Sequence, residues 1–358
     1  MLGMESNFNE VKAHITTGLP FVMYRKPSAT TIKAWLQNDM TLHHLQNYSS
    51  KGFVIAPFDI KLPIFLFPQE KCRVIECTIP IKQPDLFLTI QPASIAKTEF
   101  FHKKIVSKAV RAIEKGAFSK VVLSRVHKIT FSENPLNHLP ELFLKLQQLY
   151  PTATVYCWYH PSFGCWMGAT PENLFTVKGN SINTMALAGT QKVVAQQETV
   201  WADKEREEQQ LVTDFIVRQL QPLTKQLEIG EQHTARAGNL WHLKTQISGK
   251  LNILNDDIEQ IVAALHPTPA VCGVPRLSAT SFINENENYN RSLYTGFFGE
   301  LQTSASLKAD FYVNLRCMQL LEKAAEIYVG GGITHASLPH REWEETIHKA
   351  MTMQKVFE

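Results

Sequence analysis

Residues 154–177 read TVYCWYHPSFGCWMGATPENLFTV. Three short apolar strands follow one another there, over 154–160, 165–168 and 173–177, with no helical stretch between them. Parallel neighbours need a long crossover, usually a helix, so strands this close in sequence point to an antiparallel sheet. A regular strand–helix alternation is excluded, and a simple dinucleotide-binding fold with it.

Working outward, a helix is predicted over 102–115, where Ile105, Val106, Ala109, Val110 and Ile113 share one side and Gly116 closes the element. A strand over 119–129 and a helix over 139–149 lead into the quoted segment. Beyond it lies a long charged helix over 200–220, with Leu211, Val212, Phe215, Ile216 and Leu220 at helical spacing. Strands return over 293–299, 310–320 and 326–329, and a helix over 341–356 closes the chain. The first hundred residues carry apolar runs over 53–58 and 62–67, split by prolines. The fold class is α+β, with a large, mainly antiparallel β-sheet core flanked by helices. No repeat, low-complexity tract or Gly/Ser linker divides residues 1–358, which are expected to form one domain.

Composition narrows the function classes. Lys plus Arg count 36 against 33 for Asp plus Glu, a net +3 spread along the chain with no basic stripe, which speaks against nucleic acid as a partner. The start lacks a basic segment followed by an apolar one, and no run reaches about 18 apolar residues, so a cytoplasmic protein without membrane contact is expected. Six cysteines form no CxxC pair and read as buried free thiols. Thirteen histidines show no HExxH spacing, which disfavours zinc.

Some residues carry chemistry in pattern. Lys120 heads KVVLSR (120–125), where alternation puts Lys120, Val122 and Ser124 on one face. A lysine pressed into an apolar sheet is one way to build a general base, and a strand-end lysine snorkelling to water is the competing reading. Glu172 follows a proline between two apolar strands, either as a turn residue or as a carboxyl facing a cleft. Lys204 and Glu208 share a helical face, as do Glu342, Glu345 and Lys349. Surface ion pairs explain both sets; so would magnesium, which prefers carboxylates and few protein ligands. Gly330, Gly331 and Gly332, at the end of a strand, let backbone amides approach an anion. Arg316, inside an apolar run, needs either a structural carboxylate or a substrate carboxylate.

Together KVVLSR, GATPENLF, LAGT, KEREEQQLV, LWHLKTQISGKL, LHPTPAVCGVPR, RSLYTGFFGE, VNLRCM and VGGGIT followed by REWEETIHKAMTM resemble, in order and spacing, the chorismate-utilising enzymes. The resemblance spans residues 100–357, leaves 1–99 as a variable N-terminal part, and implies a core of two packed sheets. Within the family the details resemble the isochorismate synthases. Lys120 stands where ammonia-using anthranilate synthases carry glutamine, Ala188 where aminodeoxychorismate synthases carry a nucleophilic lysine, and Ala270 where salicylate synthases tend to carry threonine.

The resemblance implies a site. Lys120, neutral and helped by burial or a nearby cation, would activate water for attack at C2 of chorismate, and a protonated Glu172 would release the C4 hydroxyl. Glu208 and Glu345 would hold Mg²⁺, with Glu342 behind them or acting through water, and Lys204 and Lys349 would balance the charge. Arg316, Tyr294 and the amides of Gly330, Gly331 and Gly332 would grip the enolpyruvyl carboxylate, with Gly189 and Thr190 on the C4 side and His266 placed near the ring. Gln209 replaces a histidine common in relatives and is expected to tune the site. The alternatives are a relative that goes on to salicylate and pyruvate, and a non-catalytic chorismate binder. A monomer is expected, serving either menaquinone or siderophore biosynthesis.

Overall fold

The computed structural model describes all residues except 1, 80–85, 87, 92–95, 194–198, 238–239 and 253–257. Its strands form two sheets of ten, with every described neighbour antiparallel. The strands Thr154–His160 and Gly164–Thr170 pair directly in the first sheet, joined by a tight turn. Asn173–Lys178 belongs to the second.

Thr154–His160 is apolar almost throughout because both of its faces are covered. Val155 and Cys157 join the core under the helix Leu139–Leu149. Tyr156 and Trp158 enter an aromatic layer between the sheets with Trp35, Phe53, Trp166 and Phe298. Tyr156 and Trp158 stack at 4.3 Å, and Phe298 of the second sheet lies 4.3 Å from Tyr156. Such pairs each add about 0.5–1.5 kcal/mol beyond their buried area, so the layer holds the sheets in one register. The second sheet's other face is covered by the helices Asp203–Leu220 and Ile258–Leu265.

The N-terminal part supplies strands to both sheets: Phe21–Arg25, Thr31–Gln37 and Cys72–Thr78 to the first, Gly52–Ala56 and Phe65–Pro68 to the second. Five cysteines are buried and Cys72 is half-buried, all as free thiols. Among the described residues no helix is long and apolar enough to cross a membrane.

Two expectations change. The predicted strand over 310–320 is two strands, Leu307–Val313 in the second sheet and Cys317–Leu321 in the first. Asn314 breaks the run: its Nδ2 donates to the Leu293 carbonyl at 2.8 Å and its Oδ1 accepts from Tyr156, while Arg316 turns to φ 46°. The glycines do not follow the strand over 326–329 but lie inside a longer one, Ala324–Ile333, opposite Ser124, Leu123 and Val122.

The chain thus passes between sheets at Pro171–Glu172 and again at Asn314–Arg316, placing Glu172 and Arg316 at the junction. A buried pair, Arg291 with Glu287 at 2.6 Å, braces this region, and Arg291 also donates to the Val122 and Val271 carbonyls at 2.8 and 2.9 Å. Arg291→Met strands the Glu287 carboxylate, so urea denaturation should show a loss of about 3–5 kcal/mol. A loss within about 0.5 kcal/mol would contradict this bracing.

Candidate active site

The junction encloses a cavity lined by Glu172, Ala188, Gly189, Thr190, Glu208, Ala270, Tyr294, Arg316, Gly330, Gly331, Gly332, Glu345 and Lys349, together with Val122 and His242. Glu172 is 4% exposed, and burial pushes its carboxyl up to about 8 against the pull of Lys120. A shift in this direction favours the neutral acid at pH 7.

Lys120 is fully buried on its strand, Lys120–Phe131, and is not itself among the described lining residues; it meets the cavity through Glu208, which is. Of the expected burial or nearby cation, burial is present, and the neighbour is a carboxylate: Glu208 Oε1 lies 3.0 Å from Lys120 Nζ. Lys204 does not pair with Glu208 along its own helix. It spans to the C-terminal helix Pro339–Gln354, where its Nζ meets Glu342 Oε1 at 2.6 Å. Lys349 Nζ binds Glu345 Oε1 at 2.6 Å and the Gly330 carbonyl at 2.8 Å.

Three glutamates thus face three lysines, and the glycines make room for them. A Cβ on Gly332 would strike the Glu208 carboxylate and come within 3.0 Å of Lys120 Cε. One on Gly331 would stand 3.4 Å from Glu342 Oε2 and 3.5 Å from Glu345 Oε1. Burial, with Glu345 beside it, pushes the Glu342 carboxyl up despite Lys204. Burial also opposes ionisation of Glu345, yet Lys349, Lys204 and Arg316 outweigh it and hold that carboxyl low.

These donors suit a hard cation. Glu342 Oε2 is buried without a hydrogen-bond partner and converges with Glu345 Oε1 on the same void beneath Gly331. Among the described residues no group of three or more His, Cys, Asp or Glu side chains is close enough to hold a metal unaided. Magnesium does not require one, since it keeps waters and takes one or two carboxylates plus its substrate.

Arg316 has no carboxylate at ion-pair distance among the described residues; its Nη2 meets His242 Nε2 at 3.1 Å. His242 Nδ1 lies 2.8 Å from the Gly189 carbonyl, so that nitrogen carries the proton and Nε2 accepts from the guanidinium. Burial and Arg316 draw the imidazole down to about 3, so it stays neutral. Tyr294 stacks on Tyr328 at 5.4 Å beside the glycines.

Residues 71–358 match the family model described as chorismate binding enzyme. The chain belongs to the chorismate-binding enzymes. It is 30% identical over 267 residues to isochorismate synthase EntC of Escherichia coli K12, covering 71% of this chain and 66% of that protein. It is 30% identical over 280 residues to isochorismate synthase DhbC of Bacillus subtilis 168, covering 70% and 66%. The chain thus spans just under two thirds of the length of each. The solved structure of MenF, the menaquinone-specific isochorismate synthase from Escherichia coli, superposes with a TM-score of 0.79 at 23% identity over 95% of this chain and 89% of that one, and shows the shared fold.

In this chorismate-binding enzyme two expected placements fail. His266 is not in the cavity: its Nε2 lies 3.3 Å from the Pro57 carbonyl and its ring packs edge-on to Phe297, in the wall of a separate hollow. Its motif supplies the cavity with Ala270 instead. The histidine that lines the cavity is His242, within LWHLKTQISGKL, where it shares a strand face with Lys244. Gln209 also faces away. It donates to Thr213 and Thr245 at 3.0 and 2.9 Å and ties its helix to the second sheet.

Two outcomes follow. Gly332→Ala should displace Glu208 and cut turnover at least about 100-fold, a loss of about 2.7 kcal/mol in barrier terms, with the fold intact by circular dichroism; near-normal turnover would contradict the packing. The Glu172 value of about 8 lies above its ordinary 4.5, so its stabilising contribution is full below about 4.5 and is lost as pH rises through about 8. The melting temperature of Glu172→Gln should therefore gain on the unsubstituted protein as pH rises from about 5 to about 9, and a constant difference would contradict a buried neutral acid.

Proposed function

We propose that this chain is an isochorismate synthase, isomerising chorismate to isochorismate by adding water at C2 and releasing the C4 hydroxyl. The observation that carries the reading is the buried acid Glu172, held toward its neutral form, in a cavity it shares with Arg316 and with Glu208, the partner of the buried Lys120. One proton must be taken from water and another given to the departing hydroxyl, and these two residues divide that work.

Lys120 first loses to solvent the proton it holds beside Glu208 and, as the free amine, then accepts one from the attacking water. Glu172 donates its proton to the C4 oxygen as the double bonds shift, and the electron pair of the breaking C4–O bond leaves with the hydroxyl as water. Arg316, oriented through His242, and the Tyr294 hydroxyl hold the enolpyruvyl carboxylate. Gly189 and Thr190 line the C4 side, and Ala188 and Ala270 leave the ring free of competing nucleophiles and hydroxyls. Glu208 and Glu345 would hold magnesium, with Glu342 behind. When bound, the metal would supply positive charge at the ring carboxylate, drawing electron density as the nucleophile arrives.

The proposal takes the enzyme as a cytosolic monomer built as one domain, acting on free chorismate. Menaquinone and siderophore routes both fit it: one solved relative is named as menaquinone-specific and another as 2,3-dihydroxybenzoate-specific.

Chromatography of products from chorismate and Mg²⁺ should give isochorismate. Salicylate with pyruvate as the main product, or no conversion, would contradict the reading. Lys120→Ala and Glu172→Gln should each cut turnover by at least about 1,000-fold while retaining chorismate binding.

A further inference from the structure

Behind Arg316 lies a second cavity of about 200 Å³, and about 150 Å³ already holds a benzene ring. Pro171, Leu187, His242 and Arg316 line both cavities, so the Arg316–His242 contact is the partition between them. At its outer end the exposed residues Thr152 and Arg236 form a mouth. Along its wall the half-buried Lys244 follows His242 on one face of the strand Leu240–Leu251.

We infer that this second cavity is an anion-receiving antechamber, in which Lys244 captures a small dicarboxylate at the mouth and passes it inward to Arg316. Its identification of chorismate as that dicarboxylate rests on the function proposed above.

The charge pattern carries the inference. Lys244 and Arg316 line the chamber, and its described lining contains no Asp or Glu. This contrasts with the first cavity, whose lining lysine, Lys349, is matched by Glu345. The Lys244 ammonium makes no hydrogen bond or ion pair among the described residues, so it has no protein anion to give up. A half-buried lysine without a counter-charge, inside a concave wall, focuses positive potential outward through the mouth, and such clefts raise the association rates of anions by about 10- to 1,000-fold.

The partition suits transfer. His242 is neutral and takes one guanidinium hydrogen bond, which leaves other Arg316 donors for a carboxylate. Ala235, opposite His242 on the strand His233–Ala237, has a side chain small enough to keep the passage open. Glu208 and Glu345 of the first cavity are shielded from the arriving dianion by Lys120 and Lys349.

Stopped-flow tryptophan fluorescence tests this, using chorismate and, separately, the unreactive dianion benzene-1,3-dicarboxylate at several ionic strengths. Lys244→Gln should slow association of both about three- to tenfold and flatten its salt dependence, and Lys244→Glu should slow it further, with kcat changed by less than about twofold. Ala235→Trp, which narrows the chamber without changing charge, should slow association and leave the salt slope unaltered. Wild-type association rates and salt slopes in both Lys244 variants would overturn the antechamber, as would a fall in kcat with association unchanged. If the unsubstituted enzyme converts no chorismate, the proposed function fails, while the benzene dicarboxylate still reads the chamber.

Discussion

Desolvation of ionisable groups at the junction of two antiparallel sheets is the constraint on which the rest depends. The aromatic layer around Tyr156, Trp158 and Phe298 fills the space between the sheets, and two of the chain's crossings between them, at Pro171–Glu172 and at Asn314–Arg316, lie beside the cavity. An acid and a guanidinium are thereby carried to the rim of a low-dielectric cleft. Water would level their behaviour; burial separates it. Glu172, with no close hydrogen-bonding cation, is kept neutral, whereas Glu345, one helix away, is held ionised by Lys349.

The same constraint accounts for the lysine–glutamate pairs. A buried carboxylate is costly without compensation, and Lys120, Lys204 and Lys349 each place an ammonium on one of Glu208, Glu342 and Glu345. Each pair uses one oxygen. The uncommitted Glu342 Oε2 and the space under Gly331 leave a place where a hard cation can share the load. Glycine in this strand is therefore a requirement of volume: a methyl group at 332 would occupy the position of a carboxylate.

Much of this was legible in the sequence. The helix over 139–149 and the strand over 154–160 coincide with Leu139–Leu149 and Thr154–His160, because their periodicity is set by local burial. Lys120, Glu172, Arg316 and the glycines could be singled out because each conflicts with its apolar surroundings. The break at Asn314 could not, since VNLRCM is apolar enough to read as one strand and only tertiary hydrogen bonds from Leu293 and Tyr156 divide it. The Lys204–Glu342 pair was hidden because helical spacing reports neighbours on one helix and says nothing about a second helix 138 residues away. Resemblance to relatives points to His266, yet it is His242 whose strand carries its ring into the cleft. In hindsight His242 and Lys244 on one face of an otherwise apolar strand were the available signal.

The central claim is that Glu172 enters the reaction as a neutral acid. Infrared difference spectroscopy between the unsubstituted protein and Glu172→Gln, followed across pH, reads that carboxyl directly. The account predicts a protonated-acid band that persists at neutral pH and disappears with a midpoint near 8. A carboxylate band already complete at pH 6, or a midpoint near the ordinary 4.5, would contradict it.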